Sequence, residues 1–261
     1  MNIQVLVSSM NMTWSKLEKM NIQSNAIIIN QTDKKFSYEK KEISGNIIEI
    51  YEFAEKGVGK SRNSALMRSS GDIIIMADDD EVFVDNYENI IKKAFIKYPD
   101  ADMLVFDVTV HEKGEKYSTT TKEGKLNYFN SLKYGTVSFV FRREKIIKNN
   151  IYFSLLFGGG AKYGSGEDSL FIWDILKAGL NVYSIPIKIA DIYNDDSSWF
   201  TGFNEKYFLD KGALFKALGG KWSLVLIVQY WIRKRKDLSK VISSTKILIN
   251  MIEGSRMYRN L

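Results

Sequence analysis

Ile73-Ile74-Ile75-Met76-Ala77-Asp78-Asp79-Asp80 is the stretch that decides how this chain is read. Five apolar residues bounded by polar ones read as a buried strand. Three adjacent carboxylates at its carboxyl end repel one another unless positive charge stands among them. A hard divalent cation, Mg²⁺ or Mn²⁺, held by one or two carboxylates and a phosphate-bearing substrate is the usual solution. The plain alternative is a solvated acidic turn. Position favours a site, because open α/β sheets bind ligands beyond the carboxyl ends of their strands.

Outward from that strand, residues 3–7, 26–29, 47–51 and 103–106 are further short apolar runs. Helical patterns separate them, from residue 61 to 68 and from 89 to 98, where Pro99 closes the helix. This alternation predicts an α/β fold with a mostly parallel central sheet flanked by helices. Residues 113–125 are polar and predict a hairpin or mobile loop, and 136–141 return to strand character. Five glycines among the nine residues 158–166 exclude a regular element. A helix is expected over 167–177, ended by Ala178-Gly179. Composition changes near Trp222, so the chain divides into a domain over 1–220 and a helical extension over 221–261.

The 261 residues are 45% hydrophobic and 26% charged, as in globular proteins, and long enough for a substantial core. Without cysteine there are no disulfides or thiolate metal sites, which fits a reducing compartment. The first residues show neither a basic n-region nor a long apolar run, so no signal peptide is expected. No apolar stretch reaches the roughly 18 residues of a spanning helix. From Lys221 onward nine Lys/Arg stand against Asp237 and Glu253, so the net +6 of the chain resides in its tail. Basic character confined to a tail points to a membrane surface or an acidic partner and away from nucleic acid. Trp222 to Ile232, followed by Arg233-Lys234-Arg235-Lys236, is too short to span a bilayer. It suits either an interfacial helix or a helix docked on the core.

Two other motifs carry chemistry. Ala54-Glu55-Lys56-Gly57-Val58-Gly59-Lys60-Ser61 lies between a strand and a helix and nearly matches the phosphate-binding loop G-x-x-x-x-G-K-[ST]. Ala54 replaces the first glycine, and two strands precede the motif. Read otherwise, the same stretch sets Lys60 and Arg62 near a helix N-terminus that favours an anion. Gly166-Glu167-Asp168 opens the next helix; its acids either stabilise the first turn or supply a general base under a mobile glycine loop.

The strand into Asp78-Asp79-Asp80, the preceding Gly-x-Gly-Lys-Ser-Arg-Asn and the later Gly166-Glu167-Asp168 together resemble a GT-A-type family 2 glycosyltransferase of bacterial capsular or exopolysaccharide assembly. The resemblance covers about residues 1–215, and the order and spacing of the three motifs are more specific than any one alone. It implies a nucleotide-sugar donor, UDP-linked by expectation, a Mn²⁺ or Mg²⁺ cofactor, and a glycan or lipid-linked oligosaccharide acceptor. Asp78 and Asp80 then hold diphosphate and metal in an Asp-x-Asp motif, with Asp79 between them. Ser8, Ser9 and Asp33 are then nucleotide-pocket residues, and Lys60 and Arg62 basic residues near the nucleotide-sugar. Asp168 is the catalytic base, and Glu167 and Trp199 its neighbours on the acceptor side. The family's late metal-binding histidine is missing; Asp191, Asp195 or Asp196 could replace it, while the single histidine, His111, reads as a surface residue. The expected location is the cytoplasm, with peripheral contact to the inner face of the cell membrane. A phosphate-loop kinase or NTPase, a sugar-phosphate nucleotidyltransferase and a non-catalytic glycan or membrane adaptor are the alternatives.

Overall fold

The computed structural model describes residues 1–193, 202–238 and 242–258. The chain opens with β1 (Ile3–Met10), α1 (Trp14–Lys19) and β2 (Asn25–Gln31), then the hairpin β3 (Ser37–Ile43) and β4 (Asn46–Phe53). Next come α2 (Val58–Arg68), β5 (Ile73–Asp78), the short β6 (Glu81–Phe83) and α3 (Tyr87–Lys97). The second half contributes β7 (Met103–Glu112), β8 (Glu115–Ser118), β9 (Gly124–Lys125), β10 (Phe139–Arg142), α4 (Arg143–Lys148), α5 (Glu167–Lys177) and β11 (Val182–Tyr193). Helices α6 (Glu205–Gly219), α7 (Ser223–Leu238) and α8 (Ser244–Met257) follow.

One sheet runs in the order β3-β4-β2-β1-β5-β10-β7-β11-β6, with β8 and β9 paired at its side. Strands β4, β2, β1 and β5 are parallel, as are β7 and β11; β10 runs against both β5 and β7 and so joins two parallel halves. The apolar run of β5 is explained by burial on both faces. Ile74 and Met76 enter the core under α5 and α6, while Ile73, Ile75 and Ala77 enter the core against α3. Asp78 ends the strand where β1, its parallel neighbour, reaches Ser8.

Three elements differ from the sequence expectation. Strand β3 is exposed along its whole length and carries Glu39, Lys40, Lys41 and Glu42, so it has no apolar pattern to announce it. It exists as a charged edge strand hydrogen-bonded to β4. Strand β7, expected only over 103–106, runs on to Glu112; the hairpin expected beyond it is present, the turn Lys113-Gly114, with φ of 51° and 81°, folding the chain back into β8. Strand β11 has Pro186 inside it, which argues against a strand in the sequence. The ladder to β7 shifts register between Ile185 and Lys188, and this irregularity accommodates the proline.

The extension packs on the rest of the chain. Ile227 of α7 and Ile247 and Met251 of α8 join the same core as Leu6, Ile74 and Phe171. Helices α6 and α8 meet at two glycines: a Cβ on Gly212 would lie 1.9 Å from the Met251 carbonyl oxygen, and one on Gly254 equally close to that of Leu209. Neither obstacle is a side chain that can swing aside. Gly212→Ala is therefore expected to push the helices apart and destabilise the protein by about 2–4 kcal/mol, lowering Tm by roughly 5–10 °C in a thermal melt.

Candidate active site

A cleft of about 790 Å³ opens at the carboxyl ends of β1 and β5 and is closed on the far side by the start of α5 and the end of β11. The sequence order of its walls explains why the three motifs, though far apart in the chain, meet. Helix α2 leaves β4 beside β1, and Arg62, on its second turn, is only 4% exposed. From there the guanidinium reaches in two directions. Its Nη2 donates to both carboxylate oxygens of Asp78 at 2.9 and 3.1 Å, and its Nη1 donates to Glu167 Oε1 at 2.8 Å. Burial opposes a charge on Arg62, but Asp78 and Glu167 outweigh it and hold the side chain protonated, above its usual range.

The three adjacent aspartates have distinct surroundings. Asp78 is taken by Arg62. Asp79 accepts from Ser9 Oγ and from the Met10 backbone N–H at 3.2 Å, and pairs with Lys16 Nζ at 2.8 Å, so it ties the end of β1 and α1 to the end of β5. Asp80 has no ion pair among the described residues. Burial, then repulsion from Asp78 and Asp79, pushes its carboxyl up to about 6. Behind it Glu81 is fully buried; one oxygen accepts from the Asp78 N–H at 2.7 Å and the other has no partner among the described residues. Burial and Asp78 raise Glu81 well above the ordinary carboxylate range.

This arrangement fits a hard divalent cation at Asp80. Its carboxylate carries an unneutralised charge into the cleft, whereas those of Asp78 and Asp79 already have cations. Among the described residues no cluster of three or more His, Cys, Asp or Glu is arranged as a metal cage. A cation of the Mg²⁺ type accepts such a site, using one or two carboxylates and completing its shell with water and substrate phosphates.

Across the cleft, Glu167 and Asp168 form the first turn of α5. Asp168 Oδ1 accepts from the Ser169 N–H at 2.6 Å, and Glu167 Oε2 from the Gly166 N–H at 3.1 Å. Burial, and then the charge of Glu167, push Asp168 up to about 6. The glycine loop ahead of α5 is held by close packing. A Cβ on Gly158, whose φ is 107°, would strike Val58 Cγ1 at 2.6 Å and Glu167 at 2.9 Å. The loop also bonds internally, Gly158 N–H to the Tyr163 carbonyl at 2.9 Å. Close approach between the loop, α2 and α5 thus gives these glycines a packing role.

The same packing bears on the phosphate-loop alternative. The first N–H of α2, from Val58, donates to the Gly159 carbonyl at 2.9 Å, and a Cβ on Gly59 would lie 2.3 Å from the Ser154 carbonyl oxygen. The helix N-terminus faces protein carbonyls, and Lys60 is exposed away from the cleft. The Val58 N–H, which a phosphate-binding loop would offer to its anion, is thus already taken.

Of the residues named from sequence, Ser8, Ser9, Arg62, Asp78, Asp79, Asp80, Glu167 and Asp168 all line the cleft. Ser8 Oγ bonds Ser61 Oγ at 2.8 Å, anchoring α2 to β1. Asp33 is exposed after β2, and neither it nor Lys60 belongs to the lining. Trp199, Asp195 and Asp196 lie outside the described residues. Asp191 is engaged by Lys188 Nζ at 2.6 Å and by His111 Nε2 at 2.7 Å. Those bonds overcome partial burial and hold its carboxyl below the usual range, so it is ill placed as a free metal ligand. His111, expected at the surface, is half-buried in that pair and stacked on Tyr193, with centroids 4.7 Å apart. Sequence reasoning missed Lys16, Tyr117 and Tyr193, which line the cleft. Only Lys16 had a usable signal, in the helix that follows β1; Tyr117 enters on the expected hairpin, whose placement against the cleft has no local signature, and Tyr193 through β11, which its proline concealed.

No family model matches the chain, and no curated protein matches it by sequence. Solved structures do. Residues 1–349 of S. aureus TarS in complex with UDP-GlcNAc superpose with a TM-score of 0.66 at 14% identity, over 97% of this chain and 80% of that one. The same fragment in complex with UDP gives 0.61 at 14% identity, over 98% and 91%. Against longer TarS coordinates the TM-score is 0.61 at 13% identity, and this chain spans 56% of that one. The likeness shows the fold, an α/β, GT-A-like architecture with a central sheet flanked by helices; the sheet is mixed where the sequence predicted a mostly parallel one, because β3, β6 and β10 run against their neighbours.

Removal of the central cation tests the geometry. Arg62→Met leaves Asp78 and Glu167 facing each other without a counter-charge and should destabilise the protein by about 3 kcal/mol. Arg62→Lys keeps the charge but cannot fork to both acids, so an intermediate loss is expected in urea unfolding.

Proposed function

We propose that this chain is a divalent-metal-dependent, inverting glycosyltransferase that moves a sugar from a UDP-sugar to a hydroxyl of a polysaccharide or lipid-linked glycan. The observation that carries this reading is the meeting, in one cleft and through Arg62, of the acids that end β5 with the Glu167-Asp168 pair. The fold shared with S. aureus TarS, which was crystallised with UDP-GlcNAc and with UDP, makes a UDP-linked donor the first to test.

In this reading Asp80 would hold the cation, while Asp78, expected from sequence to share it, is engaged on both oxygens by Arg62 and positions the site. When bound, the cation supplies positive charge to the departing diphosphate. Arg62 holds the Asp78 carboxylate in place through its two hydrogen bonds. Ser8 and Ser9, at the end of β1, face the nucleoside side of the cleft. Asp168 accepts the proton of the acceptor hydroxyl as that oxygen attacks the anomeric carbon from the face opposite the diphosphate. The C–O bond to the diphosphate breaks as the new glycosidic bond forms, and the anomeric configuration inverts. Glu167 stays on Arg62 and orients the start of α5. A sugar-phosphate nucleotidyltransferase has no use for a base in this position, since its acceptor is already a phosphate anion.

Two outcomes are expected. In a panel of UDP-, GDP- and CMP-sugars, nucleotide release should appear with a UDP-sugar and Mn²⁺ or Mg²⁺ and fall by at least ~100-fold with EDTA; ATP hydrolysis in its place would reject the reading. The pH profile has a definite sign. Asp168 titrates near 6 in the folded protein, above an ordinary aspartate, so its basic form is lost as pH falls through 6. Below that pH, kcat/KM should drop about tenfold per unit.

A further inference from the structure

The outward face of α7 plays no part in the cleft. Its inward residues Ser223, Ile227 and Leu238 are buried, whereas Leu224, Val225, Val228 and Ile232 are each between 44% and 58% exposed. At about 100° per residue these four fall within roughly 100° of the helix circumference, a continuous apolar stripe. Trp222, just before the helix, is 75% exposed. Exposed basic residues bracket the stripe: Lys221 before it and Arg233, Lys234, Arg235 and Lys236 after it. The only acid in the helix is Asp237. Among the described residues no helix is long and apolar enough to cross a membrane.

We propose that α7 is a membrane-surface contact, its apolar stripe entering the interfacial layer of an anionic bilayer while the basic run meets the headgroups. An apolar stripe of this kind needs a cover. A second copy of the chain would supply apolar area but bring the same basic run, with Asp237 as its one acid on this helix. A bilayer with anionic lipid supplies both an apolar layer and the opposite charge. Helix α7 packs on α6, and α6 also holds the loop beside Asp168. Asp210 accepts from the Gly164 N–H at 2.9 Å, and the Leu214 side chain fills the space beside Gly166. A surface engaged by α7 therefore sets the orientation of the cleft wall that carries the base. The lipid contact itself does not depend on the transfer reaction.

The test is co-sedimentation of the full chain, without substrate, with phosphatidylcholine vesicles and with vesicles containing ~30% phosphatidylglycerol. The partition coefficient should be at least ~10-fold higher on the anionic vesicles and fall as salt is raised. It should fall ~10-fold in Leu224→Gln/Val228→Gln/Ile232→Gln and again in Arg233→Gln/Lys234→Gln, with thermal melts and nucleotide-sugar turnover in solution unchanged. The basic pair makes no core contact, so it carries the test alone if the apolar triple variant melts early. Equal partition onto neutral and anionic vesicles, or partition untouched by the substitutions, overturns the proposal. A stable dimer in sedimentation velocity that the stripe substitutions dissociate also overturns it, by assigning the face to a second copy.

Discussion

The forked contact of Arg62 with Asp78 and Glu167 is the interaction on which the site depends. It joins α2, the end of β5 and the start of α5 through one buried cation. Burying a guanidinium is expensive, and one acid would leave part of its fork unsatisfied. With two acids on opposite sides the charge is held, and the cleft acquires a fixed floor. Fixing that floor also bears on Asp168, which directly follows the Arg62-bound Glu167, and on Asp80, two residues beyond the Arg62-bound Asp78; both line the cleft.

That arrangement divides four carboxylates into two kinds. Asp78 and Glu167 are neutralised by protein and act as positioning residues. Asp80 and Asp168 are left with carboxyl groups raised to about 6 by burial and by their acidic neighbours. Groups whose environment disfavours their charge are the ones that gain most from meeting a cation or a proton. One lies at the end of a sheet strand, where a metal and diphosphate would sit; the other lies at a helix start across the cleft.

How much of this was legible in the sequence depended on whether local pattern or tertiary contact decided each element. Strand β5 could be read because it is buried on both faces, and its acids because they break an apolar run. Helix α5 announced itself by a glycine stop and an acidic first turn. Strand β3 could not be read, since a charged edge strand exists only through its partner, nor β11, since its proline is excused by a register shift visible only in the sheet. The glycine loop was correctly placed outside regular structure, and the close approach its glycines allow to α2 and α6 could not be read from composition. For the site, identities were accessible and roles were not. Three adjacent aspartates look equivalent along the chain; Arg62 and Lys16, contributed by other elements, make them different. The His111–Asp191 pair likewise joins residues 80 positions apart and had no local signature.

The central claim is that donor binding and proton acceptance belong to opposite walls of the cleft. Calorimetric titration of Asp168→Asn with UDP and Mn²⁺, set beside its transfer rate, tests this most directly. Nucleotide affinity should stay within about twofold of the unmodified protein while transfer falls by at least ~10²–10⁴-fold, the usual range for losing a general base. Near-normal turnover in that variant, or loss of nucleotide binding in parallel with activity, would contradict the account.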